Sequence, residues 1–179
     1  MIVSNPFFWA FLAMFAFVGG NAIQGAPVVG KNPYFGFLVV ITATFSRVLL
    51  VLPFVSQPRF GNASVLWLPG AVILVLSLAT MAPLLRIKPL TRPDVRETLC
   101  THGVFGLVRH PGYLANLLWG LGWAVLFGSV IGVLLTPIWG IGFWLHALIE
   151  EEALQREYGI AYADYMARVR SRLIPLVPV

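Results

Sequence analysis

The chain has 179 residues, 59% hydrophobic and 11% charged, with a mean hydropathy of +0.85, whereas an ordinary soluble domain carries about 25% charge. This excludes a soluble globular composition. The net charge of +5 is better explained by membrane orientation and anionic lipid headgroups than by nucleic acid, for which there is no motif. A single cysteine, Cys100, excludes an internal disulfide and a multi-cysteine metal site, and no metal set can be assembled from it and His102.

In chain order, residues 1–30, 61–85 and 111–149 carry no acidic or basic side chain, and residues 32–57 carry only Arg47. Roughly 20 apolar residues cross a bilayer. Helices are therefore predicted at Pro6–Gln24, Pro33–Val55, Ala63–Leu85, Gly112–Phe127 and Ser129–Ile149. The first lacks the basic n-region of a signal peptide and is expected to be retained. Residues 25–32 and 56–62 hold Gly and Pro and read as loops. The last uncharged run is barely long enough for two crossings, so its helices are expected to tilt or to span incompletely. Its glycines 120, 122, 128, 132, 140 and 142 allow close helix contact, and Pro137 can kink the last helix.

Orientation follows Lys and Arg. Arg86, Lys88, Arg92, Arg96 and Arg109 form one basic group, and Arg156, Arg168, Arg170 and Arg172 another. Both are expected on the cytosolic side, which requires an even number of crossings between them. A hairpin turning near Gly128 supplies it. Lys31 then falls inside, and Arg59 and the N-terminus outside. After Ile149 the pattern Ala153, Leu154, Tyr158, Ala161, Tyr162, Tyr165, Met166 and Val169 reads as an amphipathic helix, broken at Gly159, that covers a site or lies on the interface. The fold class is all-α: a polytopic membrane protein of about five transmembrane helices with a C-terminal helical hairpin and a cytosolic amphipathic C-terminal helix.

Two polar clusters flank the hairpin. In GVFGLVRHPGY (103–113), Pro111 suits the first turn of a helix, so an anion could meet Arg109, His110 and a helix N-terminus together. In the second, Glu150, Glu151 and Glu152 precede GIAYADY (159–165), and at least one carboxylate could turn toward a cation. Together they suit a zwitterion with a fixed positive centre, such as S-adenosylmethionine.

The paired motifs THGVFGLVRHPGY and EEEALQREYGIAYADYMARV resemble the isoprenylcysteine carboxyl methyltransferase family and the related phospholipid methyltransferases, over about Glu97 to Pro175. The resemblance implies a membrane-embedded methyltransferase that uses S-adenosylmethionine. By position, cofactor contacts fall on Glu97, Thr98, Leu99, Cys100, Phe105, His110, Pro111, Gly112, Tyr113 and Glu150. One membrane domain, 1–179, would then comprise a three-helix part (1–85), a cytosolic cofactor-binding segment (86–111), the hairpin (112–149) and a cytosolic C-terminal helix and tail (150–179). Two positions depart from the family: Glu97 stands where a His is frequent, and His146 where an Arg contacts substrate. His146, about one turn before Glu150, is a candidate base for an amine or thiol acceptor; a carboxylate acceptor needs none. Arg109, His146 and Glu150 form the expected catalytic set.

Plainer roles stand beside these. Glu151 and Glu152 read as a solvated helix end, and Tyr158, Tyr162 and Tyr165 as packing and interface anchors. Arg47, an intramembrane charge, reads as a buried contact to carbonyls or a lipid phosphate. The expected function is methyl transfer to a lipid-like or apolar acceptor (prenylcysteine carboxylate, phospholipid amine or thiol) at the cytosolic face of a bacterial inner membrane or an equivalent membrane. The alternatives are an NADPH-dependent reductase of sterol-reductase type and a non-catalytic lipid-binding scaffold.

Overall fold

The computed structural model describes residues 2–24, 33–61, 63–85 and 99–178. Lys31, Arg86, Lys88, Arg92, Arg96, Glu97 and Thr98 lie outside them. Among the described residues are six α-helices: α1 (Pro6–Gln24), α2 (Pro33–Val51), α3 (Ala63–Leu84), α4 (Pro111–Leu126), α5 (Val130–Tyr158) and α6 (Ile160–Arg168). Short 3-10 turns occupy Ile2–Ser4 and Gly103–Gly106. The all-α expectation holds. Ser64–Leu84 and Val130–Tyr158 are long and apolar enough to cross a membrane.

Two predicted boundaries move by more than one residue. Helix α2 ends at Val51 rather than Val55, because Pro53 cannot continue the ladder. Helix α5 does not stop at Ile149 but runs on to Tyr158. The residues after Ile149 are strong helix formers, and only Gly159, in the left-handed region at φ +52, breaks the run.

The chain divides into two compact units. Unit 1 comprises Met1–Ile73 and Gly120–Leu135. Here α1 packs on α2, and Leu50, Val51 and Ala124 form a core with Trp9, Trp123, Phe127 and Ile131. The α4–α5 turn is written in its sequence. Gly128 adopts φ +63, and the Ser129 amide donates to the Ala124 carbonyl at 2.8 Å. The Ser129 hydroxyl then accepts the Gly132 amide at 2.9 Å, capping α5. Arg59 donates to the carbonyls of Val51 (3.0 Å), Leu52 (2.7 Å) and Phe127 (2.8 Å), a cation set against the C-terminal ends of α2 and α4, where helix dipoles favour it. Arg47 is buried, and its guanidinium fills the space that a side chain at Gly120 would need.

Unit 2 comprises Leu74–Trp119 and Thr136–Val179. The Ser77 hydroxyl donates to the Ala115 carbonyl at 2.7 Å, tying α3 to α4. Helix α6 buries Tyr162 and Tyr165, which with Val169 pack against Leu99, Phe105, Leu154, Tyr158 and Met166. The following tail returns along residues 109–110. The Arg109 amide donates to the Ser171 carbonyl at 2.9 Å, and the His110 amide to the Arg172 carbonyl at 3.0 Å.

Candidate functional site

Pro111 opens α4, as its fixed φ and missing N–H favour. His110 stands just before it, and its carbonyl accepts the amides of Tyr113 and Leu114 at 3.2 Å each. The imidazole lies between two carboxylates of α5, with Nδ1 3.2 Å from Glu150 Oε2 and Nε2 3.1 Å from Glu151 Oε1. Both ring nitrogens facing carboxylates is the arrangement of an imidazolium, which donates from each. Burial alone would lower the His110 pKa, but the hydrogen bonds and charges of Glu150 and Glu151 outweigh it and raise it above its ordinary 6.5.

The Tyr113 hydroxyl donates to Glu150 Oε2 at 2.8 Å. Its ring is stacked between those of His110 and Phe143, centroids 5.5 Å away in each case, and His146 meets its edge at 5.6 Å. Glu150 keeps 45% of its side chain exposed, whereas Glu151 keeps 8%. Glu151 is the acid on which the cations converge. Arg109 Nε donates to its Oε1 at 2.7 Å, and Arg172 Nε and Nη2 donate to its Oε2 at 3.0 and 2.8 Å. Arg109 Nη1 also donates to the Val169 carbonyl at 3.0 Å, and the Arg172 guanidinium lies 4.7 Å over the Trp144 ring.

Of these side chains, Arg109, His110, Tyr113 and Glu150 border a cavity of about 400 Å³. Of the residues singled out in the sequence, Leu99, Cys100, Phe105, Arg109, His110, Pro111, Gly112, Tyr113 and Glu150 line it. Glu97 and Thr98 lie outside the described residues. His146 does not line the cavity and touches it through Tyr113. Tyr158, Tyr162 and Tyr165, read from sequence as packing and interface anchors, line it as well as packing. Glu151, which reads as part of a solvated helix end, is instead buried, and Arg172, in the sequence one orientation charge among several, is bonded to it. The signal for both is faint: an acid directly after Glu150, and three arginines in the acid-free run after Asp164.

The cavity offers one partly open carboxylate, an imidazolium beside it, and aromatic walls. That set can hold a cation against Glu150 and the aromatic walls; both ring nitrogens of His110 are taken by Glu150 and Glu151, so its charge balances the two carboxylates and fixes Glu150. Arg109 is already committed to Glu151 and the tail, so its part is to hold the frame.

Several known proteins are similar to part of this chain. A protein-S-isoprenylcysteine O-methyltransferase of Schizosaccharomyces pombe is 36% identical over 81 residues, 45% of this chain and 34% of that protein. A probable protein-S-isoprenylcysteine O-methyltransferase of Oryza sativa subsp. japonica is 34% identical over 79 residues, 44% of this chain and 41% of that protein. A Delta(14)-sterol reductase of Mus musculus is 34% identical over 84 residues, 44% of this chain and 19% of that protein. The chain thus spans well under half the length of these relatives. No solved structure matches it. The family model described as phospholipid methyltransferase matches residues 65–161, more than half of the sequence, and the chain belongs to that family.

Proposed function

We propose that this protein is an integral membrane methyltransferase that binds S-adenosylmethionine in the unit 2 cavity and methylates a lipid-like or apolar acceptor at the cytosolic face. The observation that carries the reading is the Tyr113–Glu150 hydrogen bond with His110 on the same carboxylate oxygen. It joins the two ends of the α4–α5 hairpin at one cavity.

The residues fit the donor. Its ammonium and sulfonium suit the open Glu150 carboxylate and the aromatic walls at Tyr158 and Phe105, and His110 holds that carboxylate in place. A cavity of about 400 Å³ lies in the range of about 300–1,000 Å³ typical of small-molecule sites. When bound, S-adenosylmethionine supplies an electrophilic methyl group whose bond to sulfur breaks as the bond to the acceptor forms. The protein's work is alignment and exclusion of water. Glu150 and His110 orient the polar end of the donor. Leu84, Leu99 and Leu154 keep the rest dry. Arg109 positions both through Glu151. A carboxylate acceptor needs no base; His146, expected from the sequence to serve an amine or thiol acceptor, stands behind Tyr113 and out of direct reach of the cavity.

The uncharged runs support about five crossings, with the cavity and both basic groups on the cytosolic side of a bacterial inner membrane or its equivalent. The acceptor class rests on the relatives' names: prenylcysteine carboxylate, phospholipid amine or apolar thiol.

Calorimetric titration of the purified chain in detergent with S-adenosylmethionine, S-adenosylhomocysteine and NADPH tests the reading. Both sulfur compounds should bind, and Glu150→Ala and His110→Ala should each weaken them. Silence with both sulfur compounds sinks the proposal. Binding of NADPH alone would transfer the site to the reductase reading that the Mus musculus relative favours.

A further inference from the structure

Past α6 the chain doubles back on itself. Ser171 and Pro178 form an antiparallel bridge, and the Val177 amide donates to the Ile174 carbonyl at 3.2 Å. Residues 171–178 are therefore a tight hairpin. At its tip Leu176 has φ +66, where a leucine Cβ crowds the backbone and where Gly or Asn is the ordinary occupant. Leu176 is also 94% exposed, so no intramolecular packing offsets the strain. Ile174 and Val177 beside it are exposed too. The turn places a large apolar side chain at its most strained and most open position.

The depth of this hairpin is fixed by its root. Arg172 is bonded to Glu151, and Glu151 stands two residues beyond the uncharged stretch that ends at Ile149. The root thus sits where the apolar part of α5 meets water. Leu176 is four residues further on, no more than about 14 Å away along an extended chain. Leu107 is exposed close by, two residues from Arg109, whose amide holds Ser171. Arg168 and Arg170 are exposed, and the chain carries no acidic residue from Tyr165 to Pro178. Apolar tips with exposed cations at this level, Arg168 one turn after Asp164 and Arg170 beyond it, match a bilayer interface with anionic headgroups.

We propose that the Ile174–Val177 turn is a lipid anchor that inserts into the membrane interface, with Arg168 and Arg170 on anionic headgroups. The anchor fixes the tail, and through Arg172 and Glu151 it holds the His110 side of the cavity at the membrane surface. It rests on the membrane reading above.

The test places a polarity-sensitive bimane label on single-cysteine variants of the full chain in nanodiscs containing phosphatidylglycerol, in a Cys100→Ser background. Doxyl-labelled lipids serve as quenchers. Leu145→Cys, on the exposed apolar face of α5, reports membrane embedding, and Asp164→Cys, exposed on α6, reports water. Leu176→Cys should be blue-shifted and quenched several-fold more by shallow doxyl lipid than Asp164→Cys. Replacing phosphatidylglycerol by phosphatidylcholine should weaken the quench at 176 and leave that at 145. Quenching at 145 with a water-like, unquenched 176 overturns the anchor alone. A blue-shifted but unquenched 176 also overturns it, since protein or a second copy then covers the tip. An unquenched 145 removes the membrane reading along with it.

Discussion

Arg172 closes Nε and Nη2 on a single oxygen of Glu151, at 3.0 and 2.8 Å, while Arg109 and His110 take the other oxygen. One buried carboxylate thus holds the tail, the residues before α4 and the middle of α5 together. Its neighbour Glu150, turned to the cavity, is left for ligand. The division of labour between two adjacent acids is the central feature of the site.

Removing Glu151 leaves buried cations uncompensated. Glu151→Ala is expected to destabilise the protein by about 3–5 kcal/mol, the cost of breaking a buried ion pair from one side. Glu152→Ala, whose partner Arg156 is exposed with it, should cost at most about 1 kcal/mol. Thermal unfolding in detergent, read for both variants against the parent, checks the contrast; equal shifts would show that Glu151 is not the keystone.

His110 gives stability a pH dependence of known sign. Its folded pKa is raised above 6.5 by Glu150 and Glu151, with Arg109 and Arg172 on the far side of Glu151. A raised cationic group stabilises fully below its unfolded pKa, and the contribution is lost as pH rises through the folded value. The melting temperature should therefore fall from pH 6.5 upward more steeply than in His110→Asn. Parallel curves for the two proteins would contradict the imidazolium assignment.

The fold class and the hairpin were legible in the sequence because each rests on a local rule, whereas most cavity residues came from the family resemblance of the paired motifs. Long uncharged runs give helices, Gly128–Ser129 gives the turn, and Pro111 gives the start of α4. The ionic pairing was not legible. Glu150 and Glu151 are adjacent, and which one faces the cavity depends on the rotation of α5, set by side-chain packing around Phe143 and Ala147. Arg172 could not be singled out among the tail arginines, since its choice of Glu151 follows from the hairpin that returns the tail to residues 109–110. The extension of α5 past Ile149 was readable from propensity, but the drop in hydropathy masked it.

Glycines that look alike in sequence should behave oppositely. A Cβ at Gly70 would lie 2.6 Å from the Leu126 backbone nitrogen and 2.7 Å from its Cα, atoms that move only with α4. Gly70→Ala is expected to cost about 1–3 kcal/mol through overpacking. At Gly140 the nearest atom is Leu117 Cδ2 at 3.9 Å, so Gly140→Ala should be neutral or stabilising by up to about 1 kcal/mol from helix propensity. Unfolding midpoints of the two variants decide, and a Gly70→Ala protein as stable as the parent would refute the close approach.

Two tyrosines of α6 line the same cavity but differ in how their hydroxyls are treated. Tyr165 donates to the Phe105 carbonyl at 2.8 Å, fixing the 3-10 turn that precedes Arg109. The Tyr162 hydroxyl is buried without a hydrogen-bond partner among the described residues. Losing the first bond strands a carbonyl, so Tyr165→Phe should cost about 1 kcal/mol or more. Deleting an unsatisfied buried hydroxyl relieves a desolvation penalty of about 1–3 kcal/mol, so Tyr162→Phe should leave the unliganded protein as stable as before or more so. Melting temperatures of both variants without ligand give the comparison directly, and a loss in Tyr162→Phe matching that in Tyr165→Phe would mean that its hydroxyl is bonded after all.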